Sequence, residues 1–147
     1  MPTLGPGATN LITGVAAANM DRAPIVADAL ARAVHTLHHR GPDGQRTRIA
    51  PHGQAALGHA RLSIIDLETG DQPIANEDGT GWMIVNGEFY EYERVQRELE
   101  QSGHRLRTRS DSEIALHLYE DLGTQFVHRL RGEYAFVIWD ERARTLL

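Results

Sequence analysis

The sequence predicts an α+β domain. Three observations carry that reading. Apolar residues recur at helical spacing through Ile25, Val26, Ala29, Leu30, Ala33, Val34 and Leu37, which marks one buried helix face. Short extended runs separated by turn residues fill the stretch from Arg46 to Asp66. Tyr134 to Trp139 (YAFVIW) is a nearly continuous apolar run, the pattern of a central strand buried on both faces.

Taken in order, Met1 to Thr9 is rich in Gly, Pro and Thr and reads as a loose leader, residues 1–10, ahead of one domain over 11–147. Leu11 to Ala18 is a small apolar strand. Asp21 can cap a helix over Ala23 to His39, with Pro24 in its first turn and Gly41-Pro42 ending it. Strands follow at Arg46–Ala50, Ala55–His59, Leu62–Asp66 and Trp82–Val85, the last ending in a sharp turn at Asn86-Gly87. Tyr92 to Gln101 is a helix stopped by Gly103, and His104 to Thr108 returns as a strand. Ser110 and Glu113 form a capping box for a helix running to Leu122. A short helix covers Gln125 to Leu130. Leu146-Leu147 begins a further strand after a turn at Asp140 to Arg142, so a C-terminal truncation or a split protein is expected.

Composition excludes several function classes. Net charge is −5 with the charges interspersed, and there is no basic stripe to neutralise phosphates, so nucleic acid is not an expected partner. No apolar run approaches the ~20 residues that span a bilayer, and residues 1–10 lack a signal-peptide layout, so a cytoplasmic protein is expected. The chain has no cysteine, which removes disulfides, thiolate metal sites and a cysteine nucleophile together. There is no phosphate loop and no dinucleotide fingerprint. His35, His38 and His39 cluster at a helix end, but no third ligand is signalled beside the pair one turn apart; no metal is expected, and surface histidines are the plainer reading.

A set of strings narrows the function. His39 to Asp43 (HRGPD), Gly58 to Asp66 (GHARLSIID), Gln72-Pro73, Val85 to Glu88 (VNGE), Ser110 to Glu113 (SDSE) and Arg131 to Trp139 (RGEYAFVIW) occur in this order. Together they resemble the class II glutamine amidotransferase domain of the asparagine synthetase family, over Leu11 to Leu147. The resemblance implies an N-terminal-nucleophile fold, with two stacked antiparallel sheets flanked by helices. It implies hydrolysis of L-glutamine to glutamate and ammonia, used by an ATP-dependent synthetase domain or subunit. No cofactor is implied for this domain; ATP and Mg belong to the synthetase part. A homodimer is compatible with the reading.

The resemblance also implies site residues. Arg61 matches the arginine for the glutamine α-carboxylate, whose planar shape suits a guanidinium; a surface salt bridge is the alternative. Ile64 and Ile65 match positions lining the same pocket, or are ordinary strand core. Asn86 and Gly87 match the oxyanion hole, where preset donors face the developing charge; a plain Asn-Gly turn is the alternative. Glu88 and Asp111 match carboxylates near the substrate ammonium, and Asp111 also suits helix capping. His39 to Asp43 shape the loop beside the site.

The family begins Met-Cys-Gly-Ile-Ala-Gly, and after methionine removal the cysteine attacks the amide with its own α-amino group as base. Here Ile12 to Ala17 (ITGVAA) aligns with that string, so Thr13 occupies the nucleophile position behind twelve residues. Cleavage before Thr13 would free a threonine nucleophile. Without it, the front domain persists as a catalytically inactive scaffold, as in β-lactam synthetase-like relatives. A third reading keeps Arg61 and Asp111 as a clamp in an amino-acid-binding or docking module.

Overall fold

The structure is a computed structural model and describes residues 23–62 and 70–147. The expected strand at Leu11–Ala18 and most of that at Leu62–Asp66 lie outside those residues; Leu62 itself follows the end of a strand. The described elements are α1 (Ala23–Thr36), β1 (Gly44–Ile49), β2 (Ala56–Arg61), β3 (Ile74–Ala75), β4 (Gly81–Phe89), α2 (Tyr92–Gln101), α3 (Glu113–Leu122), β5 (Gly132–Asp140) and β6 (Thr145–Leu146). A 3-10 helix, Gly123–Arg129, replaces the short helix expected at Gln125–Leu130.

Among the described residues, two antiparallel sheets form, β1–β2 and β3–β4–β5–β6. Side-chain alternation stacks them between helices. Ala56 and Ala60 of β2 pack on Leu30 and Val34 of α1, while Leu57 faces the other way, onto Ile84, Val137 and Trp139 of the second sheet. All of β2 is buried as a result. On the far side, Met83, Val85, Phe89 and Ile138 pack against Val95 and Leu99 of α2 and Ile114, Ala115, Leu116 and Leu118 of α3. The order of layers among the described residues is therefore α1, the β1–β2 sheet, the β3–β6 sheet, then α2 and α3. This is the α+β sandwich expected from the sequence.

Several expectations are corrected. Helix α1 stops at Thr36 rather than His39, because Leu37 and His38 bond back only three residues, to Val34 and His35. Ala29, assigned to its buried face, is exposed, while Leu30 and Val34 carry the contact. β4 runs straight through the Asn86-Gly87 turn that the sequence suggested, pairing Asn86 with Ala135 and Gly87 with Tyr134. Gly87 has φ 137°, and a Cβ there would lie 2.0 Å from the Glu133 carbonyl oxygen, so the glycine permits close strand approach rather than a reversal.

His104 to Thr108 is not a strand. Its alternating burial looks like one, but carboxylates take the backbone donors a neighbouring strand would bind. Arg105 N–H donates to Glu77, and Arg107 and Thr108 N–H donate to the two oxygens of Glu113. The capping box also differs: Glu113 is committed to that segment, and the Ser110 hydroxyl accepts from Ser112 N–H at 3.2 Å. β5 is buried on both faces only over Val137–Trp139; Glu133 and Ala135 are exposed.

Candidate functional site

Three of the residues singled out from the sequence, Arg61, Asn86 and Glu88, lie on the facing surfaces of the two sheets. On β2, His59 and Arg61 follow Leu57 in alternation and so face the second sheet. On β4, Asn86 and Glu88 follow Ile84 and face the first. At the Ile84 end this interlayer is filled by Leu57, Val137 and Trp139. At the Asn86 end the described residues of that apolar cluster give way to polar ones: Asn86 and Glu88 are half-buried, and Glu133 and Ala135 opposite them are exposed. Polar groups on facing sheets, beside an apolar floor, are the kind of lining that seats a small polar ligand.

Arg61 is buried at the end of β2, and its Nη1 lies 3.0 Å from Asp71 Oδ1. Arg46 pairs with the other oxygen of Asp71. The HRGPD loop sets the strand end in place. A Cβ on Gly41 would lie 2.4 Å from the Ala60 carbonyl carbon, and Asp43 N–H donates to the Arg61 carbonyl at 3.0 Å. Gly41 and Asp43 of the loop thus hold the strand end that carries Arg61.

Two residues that bond to the Val85 backbone stood in the motif strings, but the sequence assigned them no role. His59 is buried beside Arg61 and bonds to the Val85 backbone, joining the two sheets next to Asn86. Burial first, and the Arg61 charge second, push its pKa down from 6.5 to about 4, so the ring is neutral near pH 7. Gln72 Oε1 accepts Val85 N–H at 2.6 Å, and the Gln72-Pro73 peptide is cis. His59 stood inside a motif string, but nothing local marked it as a link between sheets.

Asp111 is buried, with Oδ2 accepting Phe89 N–H at 2.7 Å, one residue beyond Glu88. Its other oxygen meets the hydroxyls of Ser110 and Ser112 at 3.3 and 3.5 Å. It ties the segment before α3 to the end of β4 instead of capping α3. Thr13, Ile64 and Ile65 lie outside the described residues.

A family profile described as "Glutamine amidotransferase domain" matches residues 11–147. The chain belongs to that family. Its curated relatives include a probable asparagine synthetase [glutamine-hydrolyzing] of Dictyostelium discoideum, 46% identical over 112 residues, 76% of this chain and 20% of that protein. The asparagine synthetase [glutamine-hydrolyzing] of Sandersonia aurantiaca is 47% identical over 76% of this chain and 20% of its own length. Amidase chry2 of Gibberella zeae is 41% identical over 83% of this chain and 18% of its own length. The chain thus spans about a fifth of the length of these relatives. The solved structure of glutamine phosphoribosylpyrophosphate (PRPP) amidotransferase from B. subtilis, complexed with ADP and GMP, matches with a TM-score of 0.50 and 28% identity. That match covers 61% of this chain and 22% of the other. This amidotransferase domain is of class II and related to those of the asparagine synthetases, yet it carries no cysteine to act as nucleophile. No helix among the described residues is long and apolar enough to cross a membrane.

Proposed function

We propose that this domain binds L-glutamine between its sheets but releases little or no ammonia from it. Arg61 holds the α-carboxylate, Glu88 and Asp111 hold the ammonium, Asn86 and Gly87 are the oxyanion donors, and Ile64 and Ile65 line the pocket. Thr13 stands where the relatives' nucleophile would be. The reading is supported by one observation above the others: Arg61, Asn86 and Glu88 lie on facing sheet surfaces at the polar end of the interlayer, in a chain without cysteine.

The chemistry favours loss of turnover. A threonine hydroxyl is a far weaker nucleophile than a thiolate near pH 7 and needs a base. Thr13 follows Ile12 in continuous chain, so its nitrogen is an amide and is not basic. Glutamine hydrolysis would feed ammonia to an ATP-dependent, Mg-using synthetase domain or subunit in the cytoplasm; here that front domain has become a scaffold or an amino-acid-binding module.

Ammonia release from glutamine tests this in three proteins: the full chain, a chain beginning at Thr13, and a Thr13→Cys version of the shortened chain. The full chain is expected to be inactive and the Cys version to gain activity. Efficient hydrolysis by the full chain would refute the reading.

A further inference from the structure

Four side chains on the opposite face of the second sheet turn one ligand atom each toward a common point. Glu77 comes from the turn between β3 and β4, His104 from the segment after α2, and His117 and Glu120 from α3. Their ligand atoms all lie within 4.8 Å of one another. His117 Nδ1 is 2.9 Å from Glu120 Oε2 and 3.4 Å from Glu77 Oε2. His104 Nδ1 is 3.3 Å from Glu77 Oε1 and 3.8 Å from Glu120 Oε2. The two rings sit 4.9 Å apart.

The atoms pointing away from this centre are also held. His117 Nε2 meets Glu113 Oε1 at 3.2 Å, and His104 Nε2 meets Asp121 Oδ1 at 3.0 Å. A carboxylate on the remote nitrogen is the usual support of a metal-bound histidine, because it fixes the tautomer that leaves the near nitrogen's lone pair free. The carboxylates are oriented too: Glu77 Oε1 accepts Arg105 N–H at 2.8 Å, and Glu120 Oε1 accepts from Asn76 Nδ2 at 2.6 Å.

With both remote nitrogens donating, two lone pairs and two carboxylates face one point. Protons on both near nitrogens would set two cationic rings side by side. One divalent ion supplies the same two positive charges at the centre and leaves both rings neutral. Two imidazoles with two carboxylates suit a borderline transition ion in tetrahedral geometry, whereas Mg²⁺ and Ca²⁺ favour all-oxygen sites. A cleft lined by Asn76, Thr80, Glu120 and Gly123 opens beside the cluster and offers an entry path.

We propose that Glu77, His104, His117 and Glu120 bind a divalent ion of the Zn²⁺ type. The ion staples α3 to the β3–β4 turn and to the α2–α3 connection, and so steadies the helix that follows Asp111. This departs from the sequence expectation of no metal.

The test uses the 147-residue chain, stripped with a chelator and titrated with Zn²⁺ by calorimetry and with Co²⁺ by visible absorption. One equivalent should bind, Co²⁺ should give a tetrahedral d–d band, and Zn²⁺ should raise Tm, with no competition from equimolar Mg²⁺ or Ca²⁺. His104→Gln and Glu120→Gln, at partly exposed side chains, should each weaken binding at least 10–100-fold. A His35→Gln/His39→Gln variant should bind as the parent does. In the unaltered protein, Zn²⁺ should shift the ring NMR signals of His104 and His117 and leave those of His35, His38 and His39 in place. The proposal is overturned by absent binding, by binding that survives His104→Gln and Glu120→Gln, or by ring shifts at His35 and His39 instead.

Discussion

His59 provides a quantitative test of the interlayer, because its burial between the sheets has a measurable cost in acid. The folded ring titrates at about 4 against 6.5 for an exposed histidine, owing to desolvation and then to Arg61. A depressed folded pKa means that the unfolded chain takes up a proton first as pH falls. The stability associated with neutral His59 is therefore complete above pH 6.5 and is lost progressively between 6.5 and about 4. At 1.36 kcal/mol per pH unit the full loss is about 3 kcal/mol, of which about 2 kcal/mol has gone by pH 5. The perturbation is His59→Gln, which keeps a donor for the Val85 backbone but does not titrate. Urea unfolding of both proteins is followed at pH 7, 6 and 5. Other titrating groups, His117 among them, are common to the two and cancel in the difference. The unaltered protein should lose about 2 kcal/mol relative to His59→Gln between pH 7 and 5. A difference that stays constant across that range would show that His59 is solvated and that the sheets do not close over it.

Two further outcomes follow from the same geometry. Gly87→Ala would place a Cβ 2.0 Å from the Glu133 carbonyl oxygen at a φ of 137°, so it should cost about 3 kcal/mol or more in denaturant unfolding. Unchanged stability would mean that β4 and β5 do not pair there. Asp111→Ala removes the acceptor for the buried Phe89 N–H and should cost about 1–3 kcal/mol, with Asp111→Asn, which keeps an acceptor oxygen, costing less. Equal losses in the two variants would count against that hydrogen bond.

The parts of the fold legible in the sequence are those governed by side-chain periodicity. The helical spacing of Leu30 and Val34, and the apolar run around Ile138, mark elements whose packing the structure bears out. What misled were local signals overridden from a distance. Asn86-Gly87 has turn chemistry, but its glycine serves the approach of β5. His104 to Thr108 alternates like a strand, but Glu77 and Glu113, from other segments, bind its backbone. Ser110 and Glu113 have cap spacing, but Glu113 is drawn to residues 107 and 108. In the candidate site, motif order singled out Arg61, Asn86 and Glu88, which lie on the facing sheet surfaces. His59 and the Glu77–His104–His117–Glu120 cluster were not, since their meaning depends on which distant segments fold together.

Whether a glutamine pocket outlives its nucleophile is decided by calorimetric titration of the full chain with L-glutamine, with the ligand recovered and assayed afterwards. Saturable binding of one equivalent is expected, with glutamine recovered intact and binding abolished in Arg61→Gln. Absence of binding, or binding undiminished by Arg61→Gln, would contradict the proposed pocket.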